Sequence, residues 1–136
     1  MCVSNIDEIH FLSIKCCFWH GKKWLFLHWT YLNNFILKIY FASDQHFGAP
    51  TPELSFPREQ KFIKWLDVVK EDADAIFLLG DLFDFWFEYK TVVPKGFVRV
   101  LGKLAEIKDS GIPIYFFVGN HDLWMSDYFQ KELNIP

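Results

Sequence analysis

Positive charge, cysteine and long apolar runs are all in short supply in this sequence, and each shortage excludes something. Lysine and arginine number 14 against 17 aspartates and glutamates, a net charge of -3. There is no basic field of the kind that binding to a phosphate backbone needs, so no nucleic-acid partner is expected. The three cysteines, Cys2, Cys16 and Cys17, are odd in number, and two are adjacent. They make neither a disulfide framework nor a zinc spacing, and a reducing, cytoplasmic setting fits them best. The most apolar piece, "WLFLHWTYLNNFIL", is interrupted by His28, Asn33 and Asn34 and is too short for a membrane span. The start of the chain also lacks the basic, apolar and small-residue order of a signal peptide.

What is present describes a globular chain. Its 136 residues are 51% hydrophobic, 20% aromatic and 23% charged, enough for one domain with a real core or for part of a larger one. Two parts differ in texture. Residues 1–37 hold all three cysteines and His10, His20 and His28, with neither clean alternation nor a sustained helical stripe. One reading makes this segment an interfacial anchor, with Trp24, Trp29 and Tyr31 at headgroup level beside Lys22 and Lys23. The favoured reading makes it an extension outside the folded domain.

From residue 38 the pattern is orderly. "LKIYFAS" reads as a strand, "GAPTPELSFP" as a proline-rich loop, and "REQKFIKWLDVVKED" as an amphipathic helix burying Phe62, Trp65, Leu66 and Val69. "ADAIFLLGD" is too brief for a helix and reads as a buried strand. "GFVRVLGKLAEIKDSG" is a second helix with Phe97, Val100, Leu101, Leu104 and Ile107 on one face, and "IPIYFFVGN" a third strand. Strand, helix, strand, helix, strand in continuous apolar runs predicts an α/β fold with a mainly parallel sheet.

In such sheets ligands bind beyond the carboxyl ends of the strands. All three strands end in polar groups: "SDQH", "GDLFD" and "GNHD". Asp44, His46, Asp81, Asp84, Asn120, His121 and Asp122 would converge on one edge, a donor set of carboxylate, imidazole and amide that suits Mn, Fe or Zn. Each motif alone has a plainer explanation, a turn aspartate, a glycine turn or a helix cap. Their conjunction favours a dinuclear site with ions roughly 3.5 to 4 Å apart, suited to in-line hydrolysis at phosphorus.

"DQH", "GDLFD" and "GNHD", in this order and each after an apolar strand, resemble the first three motifs of the calcineurin-like metallophosphoesterases. The resemblance implies an α/β/β/α sandwich, of which this chain carries the first half (βαβαβ). It also implies two divalent ions, manganese before iron or zinc, with Asp44 and His46 on the first, Asp81 bridging and Asn120 on the second. By the same carry-over His121 protonates the leaving group or stabilises phosphoryl oxygens. Asp84 and Asp122 are expected behind the ligands, Asp122 either orienting His121 or capping the next helix.

Within that superfamily "GDLFDFWFEYK" and "GNHDLWMSDYFQKELNIP" resemble the UDP-2,3-diacylglucosamine hydrolases of lipid A biosynthesis, most closely the Bacteroidetes type. That resemblance runs from residue 38 to the end and implies a lipid-linked nucleotide-sugar substrate. Its pyrophosphate would be cleaved to the acylated sugar 1-phosphate and UMP, by a cytoplasmic protein associated peripherally with the inner membrane. Phe85 and Trp86, with Phe83, Phe87 and Tyr89, are expected to alternate between the fold and a substrate-facing mouth. Two departures bear on these expectations. Proteobacterial members often carry arginine where His121 stands, and no histidine follows His121 to supply the two later histidine motifs. The expectation is therefore an N-terminal, inactive portion of such an enzyme, with another calcineurin-like phosphoesterase or a non-catalytic remnant as the alternatives.

Overall fold

The computed structural model describes residues 12–15 and 37–136. Its elements are β1 (Leu12–Lys15), β2 (Lys38–Ala42), α1 (Pro52–Val69), β3 (Ala75–Leu79), α2 (Val98–Asp109), β4 (Ile114–Phe117) and α3 (Tyr128–Leu133). The sheet order is β1-β2-β3-β4, with β2, β3 and β4 parallel and β1 antiparallel to β2. This is the α/β arrangement with a mainly parallel sheet that the alternating pattern predicts. The anchor reading of Trp24, Trp29 and Tyr31 with Lys22 and Lys23, the three cysteines, and His10, His20 and His28 lie outside the described residues.

Strand alternation sorts the two faces of the sheet. Ala42, Ile76, Leu78 and Ile114 are buried, and Tyr40 and Phe116 pack beside them. Against this face lie Phe62, Leu66 and Val69 of α1 and Val100, Leu101, Leu104 and Ile107 of α2, all buried. Burying side chains of this size contributes about 1.5–3 kcal/mol each. The opposite face carries a row of rings, Phe41 stacked on Phe77 at 5.2 Å and Phe77 on Tyr115 at 4.7 Å. Tyr115, Phe117 and Leu79 of that face are exposed, and no described helix covers it.

The first helix begins earlier than the sequence pattern suggests. Residues 52–57, read as proline-rich loop, belong to α1. Pro52 occupies the first turn, where a missing N–H costs nothing, and the Thr51 hydroxyl accepts from Leu54 N at 3.4 Å as the N-cap. Pro57 lacks the N–H that would reach the Glu53 carbonyl, but both residues are exposed, which leaves that carbonyl open to water. At α2 the correction runs the other way. Phe97 lies just outside the helix in the left-handed region (φ 54°), with its ring 4.8 Å from Phe83. The end of α2 is instead capped from α1, where the buried Glu59 carboxylate accepts from Val100 N at 3.3 Å.

Candidate metal centre

Beyond the strand ends the β2 and β3 loops continue side by side. Asp44 N donates to Gly80 O (3.3 Å), His46 N to Asp81 O (2.9 Å), Phe47 N to Leu82 O (3.0 Å) and Asp84 N back to Phe47 O (3.0 Å). The β3 and β4 loops approach until backbone touches backbone. A Cβ on Gly80 would lie 2.9 Å from Gly119 Cα, and one on Gly119 would lie 2.2 Å from Asp81 Oδ1. Glycine at these two positions is what permits the approach. Asp122, fully buried, spans the same gap: its carboxylate accepts from Gly119 N (2.5 Å) and Leu82 N (3.0 Å). Asp81 Oδ1 accepts from His121 N at 2.9 Å.

These links gather side chains from all three motifs. Asp44, His46 and Asp81 offer ligand atoms within 4.8 Å of one another, and so do His46, Asp84 and His121. The His46 ring stands between the sets, with Nε2 3.9 Å from Asp44 Oδ1 and Nδ1 3.6 Å from Asp84 Oδ1. The His121 ring meets it edge-on at 4.5 Å. Asn120 is exposed on the loop after β4, between Gly119 and His121. Asp44, His46 and Asp81 all adopt positive φ (57°, 45° and 52°). Such backbone costs about 1–3 kcal/mol per residue. Three of the six described non-glycine residues with positive φ are thus would-be ligands.

His121 Nδ1 lies 3.0 Å from the Asp84 carbonyl oxygen and 3.4 Å from its carboxylate. A carbonyl can only accept, so this contact places the proton on Nδ1 and leaves Nε2 free. The carbonyl bond raises the His121 pKa above its ordinary value. Partial burial opposes the rise, and the carboxylates of Asp81, Asp84 and Asp122 add to it. Oxygen and imidazole donors in this spacing fit a divalent cation, with Asp84 behind both rings in the way outer carboxylates orient histidine ligands.

Asp122 neither caps a helix nor meets the His121 ring. Helix α3 begins at Tyr128, and its first N–H groups go to Glu88 Oε2, from Asp127 N at 2.9 Å and Tyr128 N at 3.3 Å. Of the rings expected to divide between the fold and a substrate-facing mouth, Trp86 falls to the fold. Trp86 is fully buried, its ring tilted against those of Phe83 (4.5 Å) and Tyr128 (5.5 Å), with Nε1 donating to Glu88 Oε1 at 2.9 Å. Phe83 is buried with it, whereas Phe85, Phe87 and Tyr89 are exposed. Gln45 turns inward, its Nε2 donating to Ser43 O at 2.8 Å. Two residues near the site escape a sequence reading. Trp124 is exposed with its ring 5.9 Å from Phe85, and Arg58 of α1 donates to the His46 carbonyl at 2.7 Å. An arginine in an amphipathic helix gives no signal of that contact.

The family profile described as calcineurin-like phosphoesterase matches residues 37–136. A UDP-2,3-diacylglucosamine hydrolase of Porphyromonas gingivalis is 50% identical over 96 residues, covering 71% of this chain and 37% of the relative. Hydrolases with the same name from Shewanella pealeana and Actinobacillus succinogenes are 32% and 33% identical over 95 and 98 residues. These alignments cover 70% and 72% of this chain, and 37% and 40% of those relatives. The chain thus spans well under half the length of the relatives it matches. Among the described residues no helix is long and apolar enough to cross a membrane.

Proposed function

The chain belongs to the calcineurin-like phosphoesterase family, and from that membership we propose that residues 38–136 are the first part of a metal-dependent hydrolase of phosphodiester or pyrophosphate bonds. The proposed substrate is UDP-2,3-diacylglucosamine, cleaved to the acylated sugar 1-phosphate and UMP in lipid A biosynthesis. The observation that carries the reading is the convergence of three strand-end motifs, with Asp44, His46 and Asp81 sharing one space and His46, Asp84 and His121 the next. The substrate assignment rests on the relatives' names together with the 50% identity to one of them. The proposed location is the cytoplasmic face of the inner membrane, held peripherally.

In this reading Asp44, His46, Asp81 and Asn120 hold two divalent ions, manganese by preference. When bound, such ions supply positive charge at the phosphoryl oxygens and make water a nucleophile near neutral pH. The protein's own contribution lies in His121. With Nδ1 held on the Asp84 carbonyl, Nε2 is left to face a phosphoryl oxygen, and the carbonyl bond first, then the nearby carboxylates, favour the charged form of the ring. A sugar 1-phosphate leaves as a stable anion and needs little protonation, so stabilising the phosphoryl oxygens is the larger part of this role. The exposed Phe85 and Trp124 rings offer an apolar rim for an acyl chain or a uracil ring.

The test is to incubate the full-length gene product with manganese and UDP-2,3-diacylglucosamine and measure UMP. Release that is abolished by Asp81→Asn supports the proposal. Absence of UMP alongside turnover of another phosphoester would overturn the substrate and keep the chemistry.

A further inference from the structure

We propose that Arg58 is a positioning residue for the first-motif turn, clamping residues 46–49 from helix α1 so that the His46 ring faces Asp44 and Asp81. The inference deepens the metal-site reading and rests on it for its consequence, though not for its geometry. Arg58 Nη2 donates to two carbonyls at once, His46 O at 2.7 Å and Ala49 O at 2.7 Å, and lies 3.5 Å from Ser55 Oγ. Ser55 Oγ, one turn earlier on the same helix, accepts from Gly48 N at 2.8 Å. Ala49 N closes the turn on His46 O at 3.1 Å. Helix α1 therefore grips the carbonyls of residues 46 and 49 and the amide of residue 48.

His46 needs such support, because its φ of 45° is one that side-chain-bearing residues adopt at a cost. Freed from the clamp, the turn would relax towards ordinary backbone and swing the ring away from its neighbours. The guanidinium is held at some expense of its own. Its Nε is buried without a partner, and burial lowers its pKa while the negative charge of Asp84 opposes that shift. Lysine would be a poor substitute: a rotating ammonium lacks the fixed planar array of donors with which the guanidinium holds both carbonyls.

The test uses the 136-residue chain with Arg58→Lys and Arg58→Ala, and reads the His46 and His121 ring nitrogens by NMR without metal. The clamp predicts that the His46 ring signals shift and broaden in both variants while the His121 signals stay in place. Added guanidinium should partly restore Arg58→Ala. With Mn²⁺ alone as the probe, affinity measured by calorimetry should fall about tenfold, as for outer partners of metal-bound histidines. Unchanged His46 signals in folded Arg58→Ala would overturn the proposal. Equal shifts at His46 and His121, the pattern of general loosening, would also overturn it. If His46 responds as predicted but the full-length gene product binds Mn²⁺ equally with and without the Arg58 substitutions, the clamp stands and its consequence for the metal site fails.

Discussion

Asp84 grips His121 twice, through its carbonyl oxygen at 3.0 Å from Nδ1 and through its carboxylate at 3.4 Å. The same carboxylate oxygen lies 3.6 Å from Nδ1 of His46. One residue of the second motif therefore holds the imidazole of the third motif through a hydrogen bond and lies beside that of the first.

That arrangement separates two contributions to the His121 pKa. Asp84→Asn removes the carboxylate and keeps the carbonyl, which is the larger cause of the rise. The His121 pKa should therefore fall towards the ordinary histidine value without reaching it, as read by NMR titration of its ring protons. A fall to or below that value would mean that the carboxylate, not the carbonyl, carries the effect.

The dependence of stability on pH should have two limbs of opposite origin. His121 has a raised folded-state pKa, so its contribution is complete below the unfolded histidine pKa and is lost as pH rises through the folded value. Asp67 and Glu106 are lowered, each first by hydrogen bonding to Lys103 and then to Lys70. Their contribution is complete above the unfolded carboxylate pKa and is lost as pH falls through the lower folded values. Urea midpoints measured from roughly pH 3 to pH 8 should therefore peak between the carboxylate and histidine ranges. These carboxylates are exposed, so added salt should flatten the acid limb, and Glu106→Gln should reduce it.

Gly119→Ala should damage the site and the fold together. The added Cβ would meet Asp81 Oδ1 at 2.2 Å and Asp81 N at 2.5 Å, so Asp81 must move. Overpacking of this kind costs about 1–3 kcal/mol. The thermal midpoint should drop, and Mn²⁺ binding should be lost in whatever fraction remains folded. Gly102→Ala, inside α2 with nothing within 4 Å of the new Cβ, is the control: it should leave Mn²⁺ binding unchanged and raise the thermal midpoint, since a helix-interior glycine costs about 0.5–1 kcal/mol relative to alanine.

The parts of this structure legible in the sequence are those with a period. The runs at 38–42, 75–79 and 114–117 alternate or stay apolar over strand length, and Phe62, Leu66 and Val69 repeat at helical spacing. Once the strands are parallel, their polar ends must share an edge, so the gathering of Asp44, His46, Asp81 and His121 follows from topology. Where a loop replaces a period, the signal fails. In "LFDFWFEYK" the interior residues are Leu82, Phe83 and Trp86, because isolated bridges from Phe47 to Phe83 and from Phe87 to Trp124 set the orientation. Likewise the partners of Asp122 and Arg58 are backbone groups distant in sequence or across a turn, and no residue type announces them.

The last prediction concerns a cap supplied at a distance. Phe97 stands at the N-cap of α2 and has no side chain able to accept, so the first N–H groups of that helix need another acceptor. Glu59 of α1 provides it at Val100 N, from a position 7% exposed. Glu59→Ala removes the acceptor and leaves a buried donor dry, which should cost about 1–3 kcal/mol by urea unfolding. Glu59→Gln keeps an oxygen in nearly the same place and should lose less. Hydrogen exchange discriminates this from a packing effect. If the carboxylate acts as a cap, protection of the Val100 amide should fall sharply in the alanine variant and recover in the glutamine variant, while Leu104 and Ile107 follow only the change in global stability. Equal loss at all three amides would mean that Glu59 serves the packing of the two helices and not the end of α2.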